Sequence, residues 1–268
     1  MFSVDTDDRG ILSKIDCFAL DLDGTVYLGD RWIDGALEFL EKVEKTGRRY
    51  CFLTNNSSRS ADVYYDKLRR MGLEITERQL VTSAHATIEY LKREFPDRKV
   101  YLLGNDSLKQ EFAAAGIKTV EDGAEVAVTA FDTTLTYEKL CRICDYVRDG
   151  LPFVTTHPDY NCPTEAGFIP DIGSFHALIE ASTGRRPDII IGKPNGEMID
   201  YMLRFTGSTR ESTAVVGDRL YTDVASGVNN GLTGILVLSG EAGLKDIVPG
   251  GVQPTLIFSS VKAMIPYL

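Results

Sequence analysis

Short apolar, β-branched runs alternate along this chain with stretches of helical period, and that alternation leaves few folds open. Cys17-Phe18-Ala19-Leu20 and Tyr50-Cys51-Phe52-Leu53 read as buried strands, as do 188–191, 213–216, 234–238 and 255–258. Their near-continuous apolar character marks strands covered on both faces, hence an open parallel α/β sheet. Between the first two, Asp34 is an N-cap candidate, Ile33, Leu37 and Leu40 share a face, and Gly47 closes the helix. A further helix is expected from Ser60 to Gly72, with Val63, Leu68 and Met71 turned inward. The middle of the chain repeats the pattern: a strand at 100–103, a helix ending at Gly116, a strand at 125–128, a helix from Tyr137 and a strand at 153–155. A second α/β unit is therefore inserted into the first. The expected division is 1–82 for the first part of the core, 83–185 for the inserted domain and 186–268 for the second part of the core.

Composition narrows the class of partner. Of 268 residues, 43% are hydrophobic and 25% charged, which is ordinary for a globular protein able to bury a continuous core. Lys and Arg number 29 against 39 Asp and Glu, a net charge of −10 that disfavours nucleic acid, whose binding rests on basic side chains. The first nine residues are acidic and lack an apolar stretch, so no secretory or transit signal is expected. Apolar runs are too short for a membrane span, which needs ~20 residues. The odd number of cysteines, five, points to reduced thiols and a cytoplasmic setting. The oligomeric state is not written in the sequence, a homodimer being one open arrangement.

Ligands of open parallel sheets bind beyond the carboxyl ends of the strands. Four expected strands end in polar residues: Asp21-Leu22-Asp23-Gly24-Thr25, Thr54-Asn55-Asn56, Gly192-Lys193-Pro194 and Gly217-Asp218. Clustered carboxylates ask for a hard, oxygen-binding cation, and Mg²⁺ suits a site of one or two carboxylates, waters and a substrate phosphate. Asp21 and Asp23 leave an extended segment on the same side while Leu22 points inward. One can attack phosphorus and the other can move a proton, which divides a difficult hydrolysis into two steps through an aspartyl-phosphate. Lys193, Thr54 and the amides of the Thr54–Asn56 turn can hold the oxygens of the transferring group.

Taken in order, Asp21-Leu22-Asp23-Gly24-Thr25-Val26-Tyr27, Thr54-Asn55-Asn56, Gly192-Lys193-Pro194 and Gly217-Asp218-Arg219-Leu220-Tyr221-Thr222-Asp223 resemble the four motifs of the haloacid-dehalogenase-like (HAD) superfamily. The insertion, with Thr155-Thr156-His157-Pro158-Asp159 and Pro163-Thr164-Glu165, is similar to the type II cap of its NagD-like, 4-nitrophenylphosphatase-like subfamily. The resemblance spans nearly the whole chain and implies a Rossmann-like core with an inserted α/β cap. It makes Asp21 the nucleophile and Asp23 the general acid/base. Thr54, Asn55, Asn56 and Lys193 become the phosphate and substrate residues. Asp21, the carbonyl of Asp23 and Asp218 become the Mg²⁺ ligands, and Asp223 the supporting acid. The implied activity is Mg²⁺-dependent hydrolysis of a small phosphomonoester, such as a sugar phosphate, a nucleoside monophosphate or a short phospho-acid. A phosphotransferase or mutase, and a non-hydrolytic sensor of a phosphorylated metabolite, are the alternatives. The cap loop departs from the family pattern, with His157 where Asn is common and Pro170-Asp171-Ile172-Gly173 where Pro-Gly-x-Gly is common.

Other motifs read more plainly. Lys193 is not a Walker A lysine, because Pro187 stands where the first Gly belongs and no Ser or Thr follows. Cys141-Arg142-Ile143-Cys144 lies in a helical stretch with no second pair and fits a buried helix face better than a metal site. His85, His157 and His176 are too scattered for a zinc triad. His85 and His176 read as helix-surface or domain-joint residues, and His157 as a turn residue sooner than a substrate contact. Tyr27 and Trp32 border the expected cleft, or simply pack.

Overall fold

The computed structural model describes residues 2–164 and 167–268. Glu165, part of the expected cap motif, lies outside the described residues. Two compact units are present. The first comprises Met1–Thr54, Tyr65–Val81 and Lys193–Leu268, the second Asn55–Tyr64 and Thr82–Gly192.

The first unit is built on a six-stranded sheet in the order Leu256–Phe258, Thr233–Val237, Thr213–Gly217, Cys17–Leu20, Arg49–Thr54, Leu80–Thr82. Cys17–Leu20 lies at its centre, fully buried, and pairs in parallel with a late strand on one side and an early one on the other. The chain thus winds outward in opposite directions from its first strand, which makes the carboxyl edge there a switch point. Register fixes what meets at that edge. Leu20 is level with both Val216 and Phe52, so Asp21, Gly217 and Leu53 emerge together.

The first helix, Ala36–Lys45, buries Ala36, Phe39, Leu40 and Val43, spaced i, i+3, i+4, i+7. Leu37 falls off that stripe and is exposed, contrary to expectation, because the face turned inward is the one that carries Phe39 and Val43; the capping position is Gly35 and not Asp34. Gly35 has φ +77°, and a side chain there would overlap Lys262, whose Nζ donates to Asp34 at 2.8 Å. In Ala61–Arg70, Tyr64 and Leu68 are buried and Val63 is exposed, so that expected face is likewise rotated.

The second unit holds a five-stranded sheet, ordered Ile189–Ile190, Phe153–Thr155, Val126–Thr129, Lys99–Leu103, Lys118–Thr119, with every pairing parallel. The run 188–191, expected in the core sheet, is the edge strand of this one. Ile189 is level with Val154 and Ile190 with Thr155, and the amides of Asp188, Ile191 and Gly192 all donate to the Phe153–Thr156 segment. Apolar periodicity announces a strand but not its partner, which is why the return to the first unit comes at Lys193 and not at 186. Tyr101, Ile143, Cys144, Val147, Phe153 and Ile179 form the core under this sheet. Cys141 is exposed while Cys144 is buried, so the two thiols do not share a face. Asn161–Thr164 and Gly167–Pro170 pair as an antiparallel hairpin. Among the described residues, no helix is long and apolar enough to cross a membrane.

Candidate active site

At the carboxyl edge of the first sheet the chain leaves Leu20 through a tight turn. The amides of Thr25, Val26 and Tyr27 all reach the carbonyl of Leu22, whose buried side chain anchors the loop, and Gly24 N donates to Tyr27 O at 2.8 Å. Gly24 has φ +86°, and a Cβ on it would lie 2.3 Å from Asp218 Oδ2, so both conformation and space require glycine. Asp21 is half-buried at the base of the turn, with its amide on Val216 O at 2.9 Å, and Asp23 is exposed. Tyr27 is buried, edge-on to Trp32 and 3.8 Å beneath the Lys67 ammonium. Packing, and not a cleft wall, accounts for it.

Lys193 enters this edge as the first residue of the returning chain. Its Nζ donates to Asp21 Oδ1 at 2.6 Å, Asp223 Oδ1 at 2.6 Å and Leu53 O at 2.9 Å. Burial works against the charged ammonium, but Asp21 and Asp223 outweigh it and hold the group above the ordinary lysine value. Lys193 is a fixed cation. Asp223 is fully buried, and its other oxygen accepts from Arg219 N at 3.1 Å, so both of its oxygens are engaged.

Asp218 is different. Its Oδ2 accepts from Glu241 N at 2.7 Å, while Oδ1 is buried and has no hydrogen-bond partner. Burial, then the charges of Asp21 and Asp223, push its carboxyl up to about 8. One oxygen each of Asp21, Asp218 and Asp223 lies within 4.8 Å of the others. Three carboxylates, with Lys193 bonded to two of them and the Arg219 guanidinium acting at longer range, still leave a buried oxygen without a partner, a set that a hard divalent cation would complete. The donors fit such a cation: oxygens only, with Asp218 and Asp223 buried and Asp21 half-buried.

The remaining expected residues are placed as follows. Thr54 is buried at the end of its strand. Asn55 and Asn56 belong to the second unit, where Asn55 Nδ2 donates to Asp159 Oδ2 at 3.0 Å and its carbonyl accepts from Ser83 Oγ at 2.6 Å. Asn56 Oδ1 caps its own turn through Ser58 N and Oγ, both at 2.9 Å. His157 is not a surface turn residue. It is fully buried, with Nδ1 3.0 Å from Thr156 Oγ1 and Nε2 2.9 Å from Asp171 Oδ1, so the two positions where the cap loop departs from the family pattern contact each other. His176 is also buried, with Nε2 2.7 Å from Thr155 Oγ1 and 3.2 Å from Thr129 Oγ1. Burial, reinforced by His157, pushes it down to about 3, which keeps it neutral. His85 pairs with Glu111 at 3.2 Å.

Sequence reasoning passed over Arg219, Ser239, Gly240 and Glu241. The loop after Thr233–Val237 reaches over the site: Ser239 Oγ donates to Gly24 O at 2.8 Å, and a Cβ on Gly240 would lie 2.0 Å from Asp218 Oδ2. The available signal was a fourth strand end, Leu238-Ser239-Gly240-Glu241, in the same sheet.

Residues 18–118 match the model of the haloacid dehalogenase-like hydrolase family, and 190–264 match a HAD-hydrolase-like model. The acid sugar phosphatase of Staphylococcus aureus (strain MRSA252) is 34% identical, with 96% of this chain and 99% of that protein covered. The 5′-nucleotidase YutF of Bacillus subtilis (strain 168) is 33% identical over 94% of this chain and 98% of its own length. The crystal structure of 4-nitrophenylphosphatase from Thermotoga maritima superposes with a TM-score of 0.92 at 43% identity, covering 96% of this chain and 98% of that one.

Proposed function

Because the chain belongs to the haloacid dehalogenase-like hydrolase family, in its NagD-like and 4-nitrophenylphosphatase-like branch, we propose that it is a Mg²⁺-dependent phosphatase of small phosphomonoesters that works through an aspartyl-phosphate on Asp21. Its class, phosphoric monoester hydrolase, is the class of its relatives. The observation that carries the mechanism is the convergence of Asp21, Lys193, Asp218 and Asp223 on one strand edge, with Asp21 bonded to the lysine and Asp218 left with an unpaired buried oxygen.

A carboxylate of Asp21 attacks phosphorus while the bond from phosphorus to the leaving oxygen breaks. Asp23, exposed on the turn just beyond, gives that oxygen its proton. Water then attacks phosphorus, Asp23 takes the water's proton, and the bond to Asp21 breaks to release inorganic phosphate. Lys193 lies against Asp21 before the reaction and draws in the phosphoryl oxygens, its charge fixed by Asp223. Thr54 adds a hydroxyl at the same edge. Bound Mg²⁺, held by Asp21, the carbonyl of Asp23 and Asp218, would offset the negative charge of the phosphoryl group. Asp223, with both oxygens engaged, supports Lys193 and does not join the ligands.

The substrate is a small phosphorylated metabolite, and the relatives span a sugar phosphatase and a nucleotidase. The five free cysteines support a reducing, cytoplasmic setting. Inorganic phosphate release is measured from 4-nitrophenyl phosphate and a panel of sugar, nucleoside and short-acid phosphates, with Mg²⁺ or EDTA, for wild type and Asp21→Asn. Turnover that needs Mg²⁺ and falls at least ~10³-fold in Asp21→Asn is expected. Folded protein that binds Mg²⁺ and phosphate but releases none would overturn hydrolysis in favour of a sensor.

A further inference from the structure

Resting on the reading of Asp218 as a ligand of a divalent cation, we infer that Glu241 and Arg219 are positioning residues, whose ion pair fixes the loop that sets the Asp218 carboxylate. The loop grips Asp218 twice: Glu241 N donates to Oδ2 at 2.7 Å and Ala242 N to the main-chain carbonyl at 3.0 Å. It approaches so closely that no Cβ fits on Gly240, and Ser239 ties its other end to the carbonyl of Gly24, next to Asp23. One short segment therefore registers the two acid-bearing turns of the site against each other.

The Glu241 side chain holds that segment in place. Its carboxylate is 40% exposed, so burial does not fix it, but Oε2 lies 2.9 Å from Nε of Arg219, a side chain only 16% exposed. The contact is one of charge proximity and not of an aligned hydrogen bond. Arg219 follows Asp218 in the chain and donates its own N–H to Asp223 Oδ2. Asp218, Arg219 and Glu241 thus close a ring: peptide bond, ion pair, amide to carboxylate. Arg219 also stands in the field of Asp21, Tyr221, Asp223 and Glu241, which together outweigh its burial and raise it above its ordinary value. Without that guanidinium, Glu241 would be a fourth carboxylate beside an acidic cluster and would be pushed away, drawing its amide off Asp218.

An ion pair this exposed contributes about 0–1 kcal/mol to folding, whereas removing a partner that orients a metal ligand costs about 10–100-fold in metal affinity. Those magnitudes separate a positioning role from a merely structural one. Isothermal titration with MgCl₂ is run on the full chain as wild type, Glu241→Ala, Arg219→Ala, the double variant and Glu241→Asp, beside metal-free melting curves. The expected result is a Kd for Mg²⁺ about tenfold weaker in each single variant and no weaker in the double, since one pair is lost in all three. Glu241→Asp recovers part of the loss. The Mg²⁺ concentration for half-maximal phosphate release shifts by the same factor, more than the rate at saturating Mg²⁺. Wild-type Kd in both single variants, or a lower melting temperature with unchanged Kd, would overturn the inference. A wild type that binds no Mg²⁺ would instead remove the cation reading beneath it.

Discussion

The two units each bury a polar centre, and the two centres are built in opposite ways. In the second, His157 has both ring nitrogens engaged, by Thr156 and Asp171, and His176 sits between Thr155 and Thr129, so hydroxyls and one carboxylate satisfy the imidazoles. In the first, Asp21, Asp218 and Asp223 crowd one lysine, and Asp218 keeps an oxygen without a partner. Burial is nearly equal. The difference is compensation: the ring contacts of the histidines are neutral hydroxyls and one carboxylate, while the first centre gathers three carboxylates and leaves Asp218 Oδ1 without a partner, a charge balance that an oxygen-binding cation would complete.

The largest test of that contrast is Lys193→Met. It strips the ammonium bonded to both Asp21 and Asp223, and should cost about 3–5 kcal/mol in urea denaturation of the metal-free protein. A loss below about 1 kcal/mol would show that charge pairing does not hold the first centre. Acid should expose the second centre. The folded protein keeps His176 neutral down to about 3, whereas the unfolded chain protonates near the ordinary histidine value of 6.5. The stability from this group is full above about 6.5 and is lost as pH falls toward 3, up to roughly 4 kcal/mol. Melting curves from pH 7 to 4 should flatten in His176→Gln, and an unchanged slope would break the assignment.

The first centre should respond in the reverse sense. Asp218 is raised from 3.8 to about 8, so its contribution in the metal-free protein is full below about 3.8 and is lost as pH climbs through 8. Mg²⁺ needs the carboxylate, so its apparent affinity should rise up to about tenfold per pH unit between 6 and 8, and Asp218→Asn should abolish the dependence. Titration calorimetry at three pH values decides it. The smallest effect belongs to Cys141→Ser, expected within about 0.5 kcal/mol of wild type because the thiol is exposed and shares nothing with Cys144.

How much of this was legible depends on whether the information was local. Asp21 and Asp218 were readable because each follows an apolar run, and the ends of neighbouring strands converge when a sheet is parallel. The strand Cys17–Leu20 was readable for the same reason. Lys193 follows a run that belongs to the other sheet and Asp223 lies in the helical turn beyond Asp218, so both were legible through the resemblance of their motifs. The run 188–191 was seen as a strand but assigned to the wrong sheet, since two half-buried isoleucines say nothing about Val154 and Thr155. Leu37 and Val63 were misplaced because spacing says which residues share a helix face but not which of two neighbouring apolar faces packs inward: Phe39, Leu40 and Val43 do so in the first helix, Tyr64 and Leu68 in the second. His157 and Asp171 stood out as departures from a pattern, yet fourteen residues of separation concealed that they bond each other. The contact of Glu241 with Asp218 is made by its main-chain amide, which every residue possesses and no sequence displays, and its pairing with Arg219 spans 22 residues.

The interrupted first unit sets an order on assembly. Asn55–Tyr64 and Thr82–Gly192 emerge during synthesis with all five strands of their own sheet, whereas Asp21 waits for partners 172 and 202 residues downstream. At about 5–20 residues per second, the interval to Asp223 is roughly 10–40 s. The second unit can fold while the chain is still growing. The centre sheet cannot close before Thr213–Gly217 is made, so the nucleophile acquires its neighbours only near the end of translation. A product truncated before Lys193 would lack the lysine, Asp218 and Asp223 that surround Asp21.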